Sequence, residues 1–188
     1  MTPPEESDWH RSADIDGMRA AFRTLHGQRL HGFTILLLLG DEARARELAS
    51  SSLAAGMANV LALRHPERAA AWLRADVLRL ARTRRSRTRP VERRGLEQIA
   101  VSGSVADALG ALDVTQRAAL ISADIERMDL RDVDTVVRRS AAAGARLLAD
   151  ARRRYMAAYK GHADAAGPLA QRIADIAASV GRFGAASR

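Results

Sequence analysis

Arginine is the side chain in this sequence with the most evident chemical use. The chain carries 30 lysines and arginines against 22 aspartates and glutamates, and Lys160 is its only lysine. A guanidinium donates two parallel hydrogen bonds, a geometry that fits phosphate oxygens and the edge of guanine. The formal charge of +8 therefore predicts a polyanionic partner, and charge alone does not separate nucleic acid from an anionic membrane.

The arginines concentrate in two parts of the sequence. Residues 82–94 hold seven arginines and one glutamate, and we interpret them as phosphate contacts, with a solvated tether as the alternative. The group at 138–154 is interpreted as a helix-turn-helix surface, with a solvated helix face as the alternative. The candidate DNA-binding residues are Arg79, Arg82, Arg84, Arg85, Arg87, Arg89, Arg138, Arg139, Arg146, Arg152, Arg153 and Arg154.

Other reactive groups lack the spacing that catalysis or metal binding needs. The chain has no cysteine, which excludes disulfides, thiolate catalysis and cysteine-ligated zinc. His26 and His31 stand five residues apart, the wrong interval for one helix face, and no glycine-rich phosphate loop occurs. We therefore expect that the chain is not an enzyme and that it binds neither a cofactor nor a metal ion. Trp72 is predicted to anchor the core in preference to stacking on an unpaired base.

The composition favours an all-α fold. Ala and Leu supply most of the apolar residues, and aromatics make up only 4%, whereas sheets are rich in aromatic and β-branched side chains. The most apolar run, residues 33–39, is much shorter than the roughly 20 residues of a membrane-spanning helix. The acidic N-terminus lacks the apolar core of a signal peptide. We expect a cytoplasmic protein with no membrane partner.

Breaks in the apolar spacing divide the first half of the chain. We expect residues 1–13 to be disordered, residues 14–86 to form a small helical bundle and residues 87–103 to form a flexible basic linker. Gly27 and Gly32 predict two helices, or one bent helix, at the start of the bundle. Later in the bundle, Gly40-Asp41 marks a helix stop followed by a cap, and Pro66 suits the first turn of a helix.

The second half of the chain predicts a helix-turn-helix unit. Residues 104–160 show four short helical periods, for which Thr115, Asp129 and Ser140 are the candidate caps. Residues 161–188 form an extension whose apolar spacing predicts one amphipathic helix. Its apolar positions are Leu169, Ile173, Ile176, Ala177 and Val180. We expect this helix to pack on the bundles or on a second copy of the chain, and not on a membrane.

The order of several short motifs is informative. They are Gly40-Asp41-Glu42-Ala43-Arg44-Ala45-Arg46-Glu47-Leu48, His65-Pro66 before Ala71-Trp72-Leu73, the basic stretch 79–89, Ala111-Leu112 before Gln116-Arg117-Ala118, and Ala151-Arg152-Arg153-Arg154. Taken in this order they resemble the extracytoplasmic-function family of RNA polymerase sigma factors. The first three resemble the polymerase-binding helix, the promoter-melting helix and its basic tail, and the last two resemble the opening and the recognition helix of region 4.

The resemblance implies a particular architecture and set of partners. It implies two small helical bundles, one similar to sigma region 2 and one similar to the region 4 helix-turn-helix, joined by a flexible linker. It also implies binding to promoter DNA and to RNA polymerase core, with an anti-sigma factor as a further partner. The polymerase contact would then lie at Asp41, Glu47, Leu48 and Leu53.

Two segments depart from the family pattern and keep other functions open. These are Ala49-Ser50-Ser51-Ser52, after the polymerase-binding motif, and Arg138-Arg139-Ser140, at the turn. The second interpretation is a sigma-like mimic or accessory regulator that binds an anti-sigma factor, polymerase or DNA without melting a promoter. The third is a basic helical DNA-binding protein unrelated to the family, which would show a steep salt dependence and no preference among sequences.

Overall fold

The computed structural model describes residues 6–63, 65–83, 96, 101 and 103–159. Every regular element in these ranges is a helix, so the all-α prediction is confirmed for the described residues. In chain order the elements are α1 (Glu6–Leu37), α2 (Glu42–Ala58), α3 (Pro66–Thr83), α4 (Gly103–Gly110), α5 (Val114–Leu120), a π-helical turn (Ile121–Ile125, the π turn), α6 (Leu130–Val137) and α7 (Ala141–Ala158).

α1 is one continuous helix and is longer than the sequence predicts. It begins at Glu6, inside the segment 1–13 for which we expected disorder. Residues 6–13 contain neither Gly nor Pro that would stop a helix. Gly27 and Gly32 do not divide α1, so the two-helix alternative is wrong. A glycine inside a helix costs only about 1 kcal/mol, which the packing of a long helix offsets.

The ends of the first three helices follow the predicted signals. After α1, Gly40 adopts a φ of 91°, a conformation that favours glycine because it has no Cβ. The carboxylate of Asp41 then caps α2 by accepting a hydrogen bond from the backbone N–H of Arg44 at 3.1 Å. Pro66 is the first residue of α3, where its missing N–H costs nothing.

The cap of α5 differs from the prediction. Asp113, and not Thr115, occupies the N-cap, and its carboxylate accepts hydrogen bonds from the N–H groups of Thr115 and Gln116, both at 2.8 Å. The side chain of Gln116 accepts a hydrogen bond back from the N–H of Asp113, which completes a capping box. Asp129 and Ser140 occupy the N-cap positions of α6 and α7, as predicted, although neither side chain makes a capping bond.

The hydrophobic core runs through the helices on both sides of the predicted linker. Buried residues of α1 to α3 and of α4 to α7 form one cluster, and α3 packs along α6. Leu96 and Val101, within the predicted linker 87–103, are only 1% and 4% exposed. The N–H of Val101 donates a hydrogen bond to the main-chain oxygen of Leu96 at 3.0 Å. These two residues therefore belong to the core, in contrast to the expectation of a free linker.

The N-terminal part of α1 extends beyond the core. Between residues 14 and 21 every side chain is exposed except that of Ile15, which is half-buried. From residue 14 onward, Phe22 is the first buried residue of the helix, and it packs against Gly56 of α2. The apolar side chain of Met18 is consequently left at the surface.

Candidate nucleic-acid interface

A three-residue turn joins α6 to α7. Arg138 ends α6 in the left-handed region, with φ 53° and ψ 53°. The N–H groups of Arg138 and Arg139 donate hydrogen bonds to the main-chain oxygens of Thr135 (3.2 Å) and Asp134 (3.0 Å). Left-handed backbone costs an arginine roughly 1–2 kcal/mol, so the surrounding packing must hold it. The order of these elements, a short helix followed by a three-residue turn and a longer helix, is that of a helix-turn-helix motif.

α6 and α7 are in close contact where Asp134 faces Gly144. A Cβ atom on residue 144 would lie 1.8 Å from Oδ1 of Asp134, so the carboxylate occupies space that only glycine leaves open. Gly144 is buried inside α7. The face of α7 that carries Gly144 is therefore turned toward α6.

The outward face of α7 carries two arginines. The buried face consists of Gly144, Leu148, Ala151 and Tyr155. At 100° per residue, Arg146 and Arg153 lie on the opposite side, about 10 Å apart along the helix axis. Both are exposed, as are Ala142 and Ala149 on the same face. Short side chains beside the two arginines would let the helix backbone approach a DNA groove while the guanidiniums reach outward.

The exposed side of α6 adds basic groups beside this face. Arg131, Thr135 and Arg138 recur at helical spacing and are all exposed, and Arg139 is exposed in the turn. In a helix-turn-helix the first helix crosses the DNA backbone, where such groups meet phosphates. Arg131 was not among the predicted DNA-binding residues. Its spacing of seven residues from Arg138 is the sequence signal that would have identified it.

Two predicted DNA-binding arginines are held in ion pairs with the protein itself. Nε of Arg152 lies 3.0 Å from Oδ2 of Asp124, and its Nη2 lies 2.5 Å from Oδ1. The hydrogen bond with Asp124 raises the pKa of Arg152. On α3, Nη2 of Arg79 lies 2.6 Å from Oδ1 of Asp76. The Arg152–Asp124 pair connects α7 to the π turn, whereas the Arg79–Asp76 pair lies within α3.

The remaining predicted DNA-binding residues have different surroundings. Arg153 forms an exposed ion pair with Asp150 one turn earlier on α7, which a phosphate can replace because both side chains remain solvated. Arg154 is exposed on the flank of α7, and Arg82 is exposed in the last turn of α3. Four predicted residues lie outside the described residues: Arg84, Arg85, Arg87 and Arg89.

The predicted polymerase-binding residues divide into buried and accessible ones. Leu48 is 2% exposed and belongs to the core, and the carboxylate of Asp41 caps α2. Neither side chain is displayed to a partner in this conformation. Glu47 is exposed and Leu53 is half-buried, so these two remain the accessible part of the predicted surface.

A buried ion pair that the sequence did not predict joins α3 to the end of the π turn. Nε and Nη2 of Arg74 donate hydrogen bonds to the two carboxylate oxygens of Glu126. Nη1 of Arg74 donates to the main-chain oxygen of Ala70 at 2.9 Å, and the guanidinium lies 5.5 Å from the ring centroid of Phe33. All three nitrogens of this guanidinium are therefore engaged inside the protein.

Other kinds of site have little support in the described part of the chain. No group of His, Asp or Glu side chains there could hold a metal ion. Trp72 is half-buried and packs against the core, as predicted. None of the described helices is long and apolar enough to cross a membrane.

Comparison with known proteins returns no relative of this chain. No family model, no curated protein and no solved structure matches it. Functional inference therefore depends on the surface of α6 and α7 and on the sequence motifs.

Proposed function

We propose that this chain is a DNA-binding transcription protein that acts with RNA polymerase core in the manner of a sigma factor. The observation that carries the proposal is the outward placement of Arg146 and Arg153 on α7, beside Arg138 and Arg139 of the turn. In such motifs the first turns of the second helix meet base edges, and the flanking groups meet phosphates. Arg146 is accordingly the candidate for a base contact, and the turn arginines are the candidates for phosphate contacts.

The DNA-binding part of the proposal is tested by the salt dependence of affinity. The double variant Arg146→Ala/Arg153→Ala should bind duplex DNA more weakly, with the log–log salt slope reduced by about 0.9 for each phosphate that the chain no longer neutralises. The matched control is Arg46→Ala, because Arg46 is an exposed arginine of α2 that pairs with Glu42. Fluorescence anisotropy at several salt concentrations measures both. If the salt slope fell equally per replaced arginine in the double variant and in the Arg46→Ala control, net charge alone would govern DNA binding.

The polymerase part of the proposal needs its own assay. We expect the chain to form a complex with core enzyme and to support open complexes on some genomic fragments in transcription in vitro. The accessible Glu47 and Leu53 are the positions to change, because Leu48 is buried and its replacement would disturb the fold. Glu47→Lys and Leu53→Asp should weaken the complex with core. Failure to bind core at all would leave only DNA binding.

A second candidate is a sigma-like accessory regulator that does not melt promoters. It is favoured by buried contacts between the helices before and after the predicted linker. Arg117 of α5 donates a hydrogen bond to the main-chain oxygen of Leu37 at 2.6 Å, and Arg74 pairs with Glu126 across the same boundary. The family resemblance implies two bundles that separate to reach two promoter elements, whereas a regulator can keep these contacts. Binding to core without open complexes would favour this candidate, and open complexes would exclude it.

A further inference from the structure

A groove of about 680 Å³ lies between α1, the first turns of α3, the π turn and the start of α6; we call it the α1–α6 groove. The large apolar side chains of its lining are those of Leu25, Phe33, Leu36, Ile121, Ile125 and Met128. Leu25 is 54% exposed, and Met18, seven residues earlier on the same face of α1, is 38% exposed. Two exposed apolar side chains beside a groove are the kind of surface that another segment can cover.

The groove has an excess of carboxylates. Besides the Arg74–Glu126 pair, its charged lining consists of Arg29, Arg127, Glu67, Asp129 and Asp132. Burial raises the pKa of Asp132, and the carboxylates of Asp129 and Glu67 raise it further. Their mutual repulsion is relieved when a cation approaches. An amphipathic segment with a basic flank therefore fits this groove.

The C-terminal segment of the same chain has the required pattern. Leu169, Ile173, Ile176 and Val180 recur at intervals of four, three and four residues, which is the spacing of an apolar stripe on a helix. Opposite in charge to the acidic edge of the groove (Glu67, Asp129 and Asp132), residues 168–182 carry two arginines and one aspartate. One of them, Arg172, directly precedes a residue of the stripe and so flanks it.

We propose that residues 168–182 dock as an amphipathic helix in the α1–α6 groove and cover Leu25 and Met18. The proposal does not depend on DNA binding. It rests on the groove, the exposed side chains of Leu25 and Met18, the acidic edge and the complementary pattern of the segment.

The connection to the groove is long enough. Arg152 of α7 binds Asp124, the neighbour of the groove residue Ile125, and α7 ends six residues later, about 9 Å further along the helix. The ten residues 159–168 can span up to about 33 Å when extended. The chain can therefore turn back from the end of α7 to the groove.

Site-specific crosslinking of the full chain tests the proposal, because the absence of native cysteine makes engineered pairs unique. In Leu25→Cys/Ile176→Cys, a short bismaleimide should join the two thiols within one chain, and it tolerates errors of register that a disulfide does not. The matched comparison is Met156→Cys/Ile176→Cys. Met156 is equally exposed, at 54%, and is much nearer to Ile176 along the chain. Docking raises the effective concentration at the groove, so the Leu25 pair should react roughly ten-fold faster than the Met156 pair.

Each outcome of this experiment either supports or overturns docking of residues 168–182 in the groove. Faster reaction at Met156 is the behaviour of an undocked tail, since short loops close more readily than long ones, and it would overturn the proposal. Crosslinks between chains would assign the groove to a second copy, which also overturns it. Adding Ile173→Asp to the Leu25 pair should abolish the preference for Leu25, because it places a carboxylate in the apolar stripe beside an acidic edge. A preference that survives this change would show that the stripe does not mediate docking.

Discussion

The guanidinium of Arg117 binds the main-chain oxygen of Leu37, the last residue of α1, with Nη1 at 2.6 Å. Its Nε and Nη2 donate to the main-chain oxygens of Leu109 (2.9 Å) and Leu112 (2.8 Å). These oxygens lie at or just beyond helix ends, where main-chain carbonyls lack partners within their own helix. Burial lowers the pKa of Arg117 to about 10, against the opposing effect of Asp113, so the side chain remains charged at neutral pH.

Replacement of Arg117 should therefore destabilise the whole bundle. Arg117→Met removes hydrogen bonds to three main-chain oxygens, and we expect a loss of about 3 kcal/mol in the free energy of unfolding. Arg46→Met is the control, since it removes an exposed ion pair with Glu42 that contributes less than about 0.5 kcal/mol. Urea denaturation measures both. Losses of similar size in the two variants would contradict a special role for Arg117.

The pair of Arg74 and Glu126 should behave as one unit in a double-mutant cycle. Arg74 is 4% and Glu126 15% exposed, so removal of one partner leaves the other charge buried without compensation. We expect Arg74→Met alone to cost about 3–5 kcal/mol, while Arg74→Met/Glu126→Met costs much less than the sum of the two single changes. Additive losses in urea denaturation would show that the two side chains are not coupled.

These two arginines also show how far the sequence determines the fold. The all-helical class of the fold and the positions at which most helices begin or end follow from local signals such as Asp41 and Pro66. Capping and proline effects act within a few residues, so the sequence alone shows them. Arg74 and Arg117 are not predictable in the same way. An arginine is usually exposed, and each of these two has one partner far away along the chain: Glu126 is 52 residues from Arg74, and Leu37 is 80 residues from Arg117. Only tertiary packing decides that a charged residue is buried.

The interface between α6 and α7 should depend on the absence of a side chain at residue 144. In the background Asp134→Ala, the change Gly144→Ala should stabilise the protein by about 1 kcal/mol, the usual gain of alanine over glycine inside a helix. In the native background, the new Cβ would meet Oδ1 of Asp134 at 1.8 Å, and the carboxylate would have to move. The gain should then be lost or reversed. Thermal unfolding of the native protein, the two single variants and the double variant measures the coupling between residues 134 and 144. An equal effect of Gly144→Ala on stability in both backgrounds would show that the two residues are not coupled.

Acid should destabilise the protein through His26. Burial lowers the pKa of His26 below 6.5, and the nearby Arg74 and Arg29 lower it further; the ring also packs against Phe22, with centroids 4.6 Å apart. The folded state then binds this proton less readily than the unfolded chain. Stability is therefore complete above a pH of about 6.5 and declines as the pH falls below that value.

Urea midpoints at neutral pH and at a pH of about 5.5 measure this effect, because only histidine ordinarily titrates in that window. His26→Gln should reduce the difference between the two midpoints. His31 contributes in the same direction, since burial also lowers its pKa, so a residual difference is expected. Asp132, whose pKa is raised, acts with the opposite sign at lower pH. An unchanged difference in His26→Gln would assign the pH dependence to other groups.

Replacement of two arginines that lie six residues apart on α7 should separate effects on stability from effects on DNA binding. The sequence treats Arg146 and Arg152 alike, but a helix turns 100° per residue. Arg152 pairs with Asp124 of the π turn, whereas Nε of Arg146 donates a hydrogen bond to the main-chain oxygen of Ala142 on its own helix. Arg152→Ala should cost about 0.5 kcal/mol of stability, because the pair is partly exposed, and should leave the salt slope of DNA binding nearly unchanged. Arg146→Ala should leave stability unchanged and lower the slope by about 0.9 if its contact is a phosphate.

A base contact at Arg146 would give a different signature from a phosphate contact. Removal of a base contact reduces the affinity for a preferred sequence by about 1–3 kcal/mol and relaxes the preference at one position, while random DNA is bound almost as before. Selection of bound sequences with the native chain and with Arg146→Ala, followed by anisotropy on the preferred duplex, distinguishes the two cases. If Arg152→Ala instead produced the larger change in DNA binding, the face of α7 that meets DNA would be the one that contains Asp124, and the outward face would have no part in it.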